Sequence, residues 1–126
     1  MNDRLNLVKF FKQYPTEVKA ERYFINLRWG KKICCPSCGS ESITEKKNRL
    51  PMPYRCKRCR KHFSVRTNTI LSESKISLQK WLLAIYIMTN NTKGISSIRL
   101  AEYLKTTQKT AWLLGQKIRK TWLQDS

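Results

Sequence analysis

All five cysteines of this 126-residue chain, Cys34, Cys35, Cys38, Cys56 and Cys59, fall within one stretch of 26 residues. Four of them form two Cys-x-x-Cys pairs, Cys35-Pro-Ser-Cys38 and Cys56-Lys-Arg-Cys59, with 17 residues between the pairs. That is the spacing of a four-thiolate zinc site. Two residues between cysteines let a tight knuckle present both sulfurs to one ion, and two knuckles complete a tetrahedron with Zn–S bonds of about 2.3 Å. Four thiolates leave no coordination position for water, so one Zn²⁺ held there is structural rather than catalytic. A redox dithiol does not explain a second pair at this distance, and an odd number of tightly grouped cysteines does not suit disulfides. Cys34 is either the first ligand of a Cys-x-x-x-Cys pair or, as the proline after Cys35 favours, a strand residue beside the knuckle. His62, the sole histidine, is expected to be an exposed polar or phosphate-contacting residue, because the four paired cysteines already complete the ligand set.

Such a site needs elements to hold it. Between Ile33 and about Thr69 the chain shows Pro, Gly, Ser and short β-type runs, and Ile33, Ile43, Tyr54, Phe63 and Val65 supply few apolar contacts. A core that small requires its metal to fold. Upstream, Leu5 to Phe11 and then Thr16 to about Arg28 read as two short helices, the second capped by Thr16, that pack on the rest of the chain. Downstream, Ser77 caps a helix to about Thr89 with Leu78, Trp81, Leu82, Ile85 and Met88 as its apolar stripe. A helix from Ser96 to about Leu104 comes next, and another runs from about Gln108 to Trp122. The fold class is therefore α+β: a small β zinc ribbon flanked by α-helices, with a C-terminal helix-turn-helix. By motif the chain divides into 1–32, N-terminal helices; 33–69, four-cysteine ribbon; and 70–126, helical module.

Charge points to the partner. Lys and Arg number 26 against 8 Asp and Glu, a formal +18, which implies a polyanion. The hydrophobic content of 40% excludes a disordered basic tail, and no apolar run approaches the roughly 20 residues of a membrane span. With no signal-type block at the N-terminus, a cytoplasmic, nucleoid-associated protein is expected. Between Glu45 and Glu73 there is no acid, while Lys46, Lys47, Arg49, Arg55, Lys57, Arg58, Arg60, Lys61 and Arg66 all lie there. A metal-rigidified ribbon carrying unbroken positive charge is a phosphate-binding surface.

The segment Ser97 to Gln116 reads as a helix-turn-helix, with Leu100, Leu104, Ala111, Leu114 and Ile118 as the shared seam and small Ala101 permitting a close crossing. Thr107 caps the second helix, and Gln108 and Lys109 point away from the seam, where Gln pairs with adenine and Lys with guanine in a major groove. Lys105 must take the turn conformation usually given to glycine. Trp81, Trp112 and Trp122 are expected to be packing residues.

From about Phe10 to Arg119 the chain resembles the N-terminal region of zinc-ribbon insertion-sequence transposases, mobile-element enzymes of the DDE type. The resemblance rests on Phe24-Ile-Asn-Leu-Arg-Trp-Gly30, Cys35-Pro-Ser-Cys-Gly39 and Tyr54-Arg-Cys-Lys-Arg-Cys-Arg60 continuing to Phe63-Ser-Val-Arg-Thr-Asn-Thr69. It extends through Ser74-Lys-Ile-Ser-Leu-Gln-Lys-Trp81 and Gly94-Ile-Ser-Ser97 to Thr107-Gln-Lys-Thr-Ala-Trp112. It implies zinc on Cys35, Cys38, Cys56 and Cys59 and terminal-repeat DNA on Gln108 and Lys109. Asn68 and Lys105 stand where the family usually has glycine, and Cys34 is extra.

The family continues into an RNase-H-like domain whose carboxylates hold two metal ions. The acids here, Asp3, Glu17, Glu21, Glu41, Glu45, Glu73, Glu102 and Asp125, are scattered, so no catalytic residue is assigned and the chain is expected not to be an enzyme. The expected contacts to double-stranded DNA are Arg55, Lys57, Arg58, Arg60, Lys61 and Arg66 from the ribbon, with Thr107, Gln108, Lys109, Gln116 and Lys117 from the helical pair. A second copy of the chain or a full-length transposase are further partners; a membrane is not. Two alternatives to a transposase DNA-binding module stand beside it, a stand-alone transcription regulator of the same architecture and a basic zinc-ribbon RNA-binding protein.

Overall fold

The computed structural model describes residues 6–72, 74–91 and 94–121. Five helices and three short strands run in the order α1 (Leu7–Gln13), α2 (Glu17–Trp29), β1 (Ile43–Glu45), β2 (Tyr54–Cys56), β3 (His62–Phe63), α3 (Leu78–Thr89), α4 (Ser97–Leu104) and α5 (Gln108–Thr121). Leu5, Glu73 and Trp122, along with Asp3 and Asp125, lie outside the described residues. Contacts group the chain into two units, one formed by the N-terminal stretch to Ala20 with the segment from Ile76 onward, the other by Glu21–Lys75. The division by motif cuts after residue 32, whereas the contacts divide α2 itself.

The first unit is helical, and its helix starts are fixed by side chains. Asn6 accepts the Lys9 N–H at the start of α1, and Thr16 accepts the Lys19 N–H at 3.3 Å at the start of α2. Phe10 on α1 is buried, and its ring lies 5.3 Å from that of Tyr86, whose hydroxyl accepts the Asn6 N–H at 2.7 Å. The start of α3 is satisfied twice over. Ser77 Oγ accepts the Lys80 N–H at 3.2 Å, and the Glu17 carboxylate accepts from Leu78 N at 2.7 Å and Gln79 N at 2.9 Å. A carboxylate at a helix N-terminus satisfies orphan donors and complements the helix dipole. The expected stripe of α3 is buried, and so are Leu83, Ala84 and Ile87. This helix is covered on more than one face.

Helices α4 and α5 form the expected pair. Ser96 accepts the Arg99 N–H at 3.2 Å, Thr107 accepts the Thr110 N–H at 3.2 Å, and Leu100, Ala101, Leu104, Ala111, Leu114 and Ile118 are all buried. Lys105 closes α4 at φ 56° and ψ 49°, and the Thr106 N–H reaches back to the Ala101 carbonyl at 3.1 Å. This is a Schellman-type ending built on lysine where glycine is unstrained. Trp112 departs from expectation: it is 51% exposed, because the seam of Ala111, Leu114 and Ile118 turns it outward. Trp81, at 1% exposure, is the packing residue expected.

The second unit is the ribbon with the remainder of α2. The sheet is antiparallel in the order β1-β2-β3, pairing Ile43 with Cys56, Glu45 with Tyr54, and Tyr54 with Phe63. Cys35, Tyr54, Cys56 and Phe63 form its core, and Ile25, Trp29, Ile33, Ile43 and Cys59 pack on them. Trp29 closes α2 and sets its ring edgewise to those of Tyr54 and Phe63, at 6.2 and 5.9 Å. Arg28 beside it donates to the Val65 carbonyl at 2.9 Å. Cys34 is not a strand residue. The segment before the first knuckle makes one ladder-like bond, Cys35 N–H to the Ser40 carbonyl at 2.9 Å, which falls short of a strand.

A left-handed lysine costs about 1 kcal/mol relative to glycine. Lys105→Gly is therefore expected to raise the unfolding free energy by about that amount, and Lys105→Val to lower it. Denaturant melts of the three proteins check this, and an unchanged midpoint for Lys105→Gly contradicts it.

Candidate metal centre and basic surface

The two knuckles share one backbone design. In the first, the Gly39 N–H bonds the Cys35 carbonyl at 2.9 Å; in the second, the Arg60 N–H bonds the Cys56 carbonyl at 2.9 Å. Gly39 and Arg60 hold equivalent places, and both have left-handed backbone, φ 77° and φ 68°. Each turn aims backbone N–H groups at sulfur: Ser37 N lies 3.4 Å from Cys35 Sγ and Cys59 N lies 3.4 Å from Cys56 Sγ.

The four sulfurs converge across the knuckles. Cys35 and Cys59 Sγ are 3.6 Å apart, Cys38 and Cys56 Sγ are 3.5 Å apart, and all four lie within 4.8 Å of one another. Tetrahedral Zn–S bonds of about 2.3 Å place sulfurs about 3.8 Å apart, so the donor set fits one zinc ion closed on all sides by thiolate. Neither Cys34 nor His62 joins this group. Cys34 Sγ contacts the Lys32 carbonyl at 3.6 Å, and His62 Nε2 lies 3.5 Å from Lys46 Nζ.

The surroundings split the thiols. The Cys59 backbone N–H, supported by that of Arg58, overcomes burial and pulls Cys56 down to about 6. Cys38 is pushed up to about 11: a backbone hydrogen bond from Ser40 lowers it, but desolvation and the thiols of Cys56, Cys35 and Cys59 together outweigh that bond. Burial raises Cys35, yet backbone hydrogen bonds from Cys38 and Ser37 leave it below its ordinary value.

The basic residues of the ribbon divide into those that reach solvent and those engaged within it, Arg66 and Arg49. On β2, Tyr54 and Cys56 face the core while Arg55 is exposed, opposite Thr44 on β1 and His62 on β3. Residues directly opposite in an antiparallel pair share a face, so Arg55, Thr44 and His62 form one outward row, with Lys46 against His62. Lys57, Arg58, Arg60 and Lys61 lie on the second knuckle at the end of β2, and all four are exposed. Arg66 is half-buried and donates to the Leu71 and Ser74 carbonyls at 3.3 and 3.1 Å, tying down the loop after β3. Arg49, at the hairpin tip, pairs with Glu21 and Glu45.

On α5, Gln108 and Lys109 are exposed, and Gln116 and Lys117 are half-buried. Gln108 Nε2 donates to Ser97 Oγ at 3.2 Å, while Thr107 uses its hydroxyl for the cap. Sequence reasoning misses Trp29 as the helical wall of the ribbon and Trp112 as a solvent-facing residue. A signal for Trp112 is present in the chain, since it lies three and four residues after Lys109 and Gln108.

The fold and the sulfur geometry define a zinc-ribbon protein with a structural Zn²⁺ site. Residues 15–62 match the family model described as transposase zinc-ribbon domain, of the IS1595 type. The chain is also 34% identical over 76 residues to a Halobacterium salinarum protein described as an uncharacterized protein in transposable element ISH50. That match covers 60% of this chain and 26% of the relative, so the chain spans about a quarter of the relative's length. No solved structure matches the chain. Both similarities are to proteins of insertion sequences and transposable elements, and the zinc ribbon is the part of the chain that the family model matches. Among the described residues, no helix is long and apolar enough to cross a membrane.

Cys56→Ser is expected to release zinc and unfold the ribbon, whereas Cys34→Ser keeps one zinc per chain by elemental analysis; zinc loss from the Cys34 variant would overturn the ligand set. Metal uptake also has a predictable pH dependence. Between about pH 7 and pH 9 the metal-free Cys38 still carries its proton, which zinc must displace, while Cys56 is already thiolate. The logarithm of the zinc association constant is therefore expected to rise by at least about one per pH unit across that range, and a flat profile contradicts it.

Proposed function

We propose that the chain is a duplex-DNA-binding module of a transposable element, with the element's ends as its target and the nucleoid as its place of work. The single observation that carries this reading is the outward row and second knuckle of the ribbon, Arg55, Lys57, Arg58, Arg60 and Lys61, exposed together on a metal-held scaffold. Among the described residues, the ribbon's acids draw other cations into ion pairs: Lys32 pairs with Glu41, and Arg49 takes Glu21 and Glu45. The helical pair supplies the second contact, with Gln108 and Lys109 at the exposed start of α5. In this division the ribbon holds phosphates and α5 reads base edges. Arg66 and Thr107 act behind those contacts, fixing a loop and a helix start.

We further propose that strand cleavage does not come from this chain. Its described carboxylates are dispersed, Glu17 at the start of α3, Glu21 and Glu45 at Arg49, Glu41 at Lys32, and Glu102 on the exposed side of α4. Two-metal phosphoryl transfer needs carboxylates grouped about ions roughly 3.5–4 Å apart. Incubation of the full chain with duplex DNA and Mg²⁺ or Mn²⁺ is expected to leave the DNA intact; cleavage lost on Glu102→Gln would contradict this.

The DNA reading is tested by salt. About six neutralised phosphates give a slope of log K against log salt near −5, at roughly 0.9 counterion per contact. Arg58→Ala is expected to flatten that slope by about one and to weaken all sequences alike. Arg60→Gly is more discriminating, because it removes a charge while relieving a left-handed residue. It should bind DNA less tightly and yet melt later. A slope unchanged in both variants, or tighter binding to structured RNA than to duplex DNA, would overturn the proposal.

A further inference from the structure

Two large apolar side chains on α5 are exposed to water. Trp112 is 51% exposed and Leu113 46% exposed, between Ala111 at 0% and Leu114 at 2%. Burial of Ala111, Leu114, Gly115 and Ile118 fixes the inward side of α5, and by helical spacing Lys109, Leu113 and Gln116 fall on the opposite side, with Trp112 toward its edge and Gln108 beside the seam, bonded to Ser97 of α4. The apolar pair thus lies among the polar side chains expected to meet bases.

We propose that Trp112 and Leu113 contact thymine methyl groups in the major groove and so determine part of the sequence preference. The proposal rests on the duplex-DNA reading above. Charge selects the occupant. Helix α5 contains no acid and carries Lys109, Lys117, Arg119 and Lys120, so a second copy of this surface is repelled and a polyanion is attracted. Within a major groove the one apolar group on the base edges is the thymine C5-methyl, which marks both the position and the strand of an A·T pair. An apolar side chain one turn after Gln108 therefore has a chemically matched contact on DNA.

The test uses the full zinc-loaded chain and DNA enriched by it from a random-sequence duplex pool. Affinity is then measured for that DNA with thymine and with deoxyuridine in its place, which removes the methyl and keeps base pairing. Wild-type protein is expected to lose about fourfold for each methyl it contacts, the equivalent of one buried CH₂ group. Trp112→Gln and Leu113→Gln, at exposed positions, are expected to keep zinc content and helicity. They should bind the thymine DNA more weakly and show a reduced thymine-to-deoxyuridine ratio.

Failure of the two ideas is distinguishable. A pool from which nothing is enriched overturns the DNA reading and this inference with it. Enriched DNA that wild type binds equally with either base, or variants that keep the wild-type ratio, overturn the inference alone. So does a wild-type dimer in sedimentation that Trp112→Gln converts to monomer, which assigns the face to a second copy.

Discussion

Four sulfurs lying within 4.8 Å of one another join the knuckle before β1 to the knuckle after β2. The sheet they brace has strands of three, three and two residues, and its buried core contains two cysteines with Tyr54 and Phe63. A hydrophobic core of that size does not offset the entropy of ordering the loops around it, so the metal's binding energy is the ribbon's folding energy. The functional consequence is positional. Once both knuckles are closed, β2 must present Arg55 outward because Tyr54 and Cys56 face inward, and the second knuckle must display Lys57 to Lys61 at one end of the sheet.

The helical unit reaches order by a different route. Side chains satisfy the first N–H groups of all five described helices, from Asn6, Thr16, Ser77, Ser96 and Thr107, and Glu17 adds two bonds at α3. These caps set where each helix begins and therefore which residues face inward. For α5 the result is a buried seam on one side and, on the other, an acid-free face mixing amide, ammonium and apolar groups.

Much of this is legible in the sequence because it is written in spacing and in cap residues. Two Cys-x-x-Cys pairs specify a tetrahedral thiolate site, and Ser77, Ser96 and Thr107 each stand at the start of the helix they are expected to cap. Lys105 takes the left-handed conformation that its place in the turn demands. The rest depends on partners distant along the chain. Nothing local to Glu17 foretells two amides of α3, 61 and 62 residues on, and nothing local to Trp29 foretells the rings of Tyr54 and Phe63. Cys34 continues a β-type pattern from Ile33 but finds no strand to pair with. Residue type assigns Trp112 to packing, although the periodicity of α5 places it outside.

Amide hydrogen exchange across the full chain, zinc-loaded and after chelation, tests most directly whether zinc is what holds the ribbon. Protection at Cys35, Gly39, Cys56 and Arg60, whose N–H groups close the knuckles and strands, should collapse when the metal is removed, while the amides of α3 and α5 keep theirs. Ribbon amides that remain protected without zinc would contradict the account.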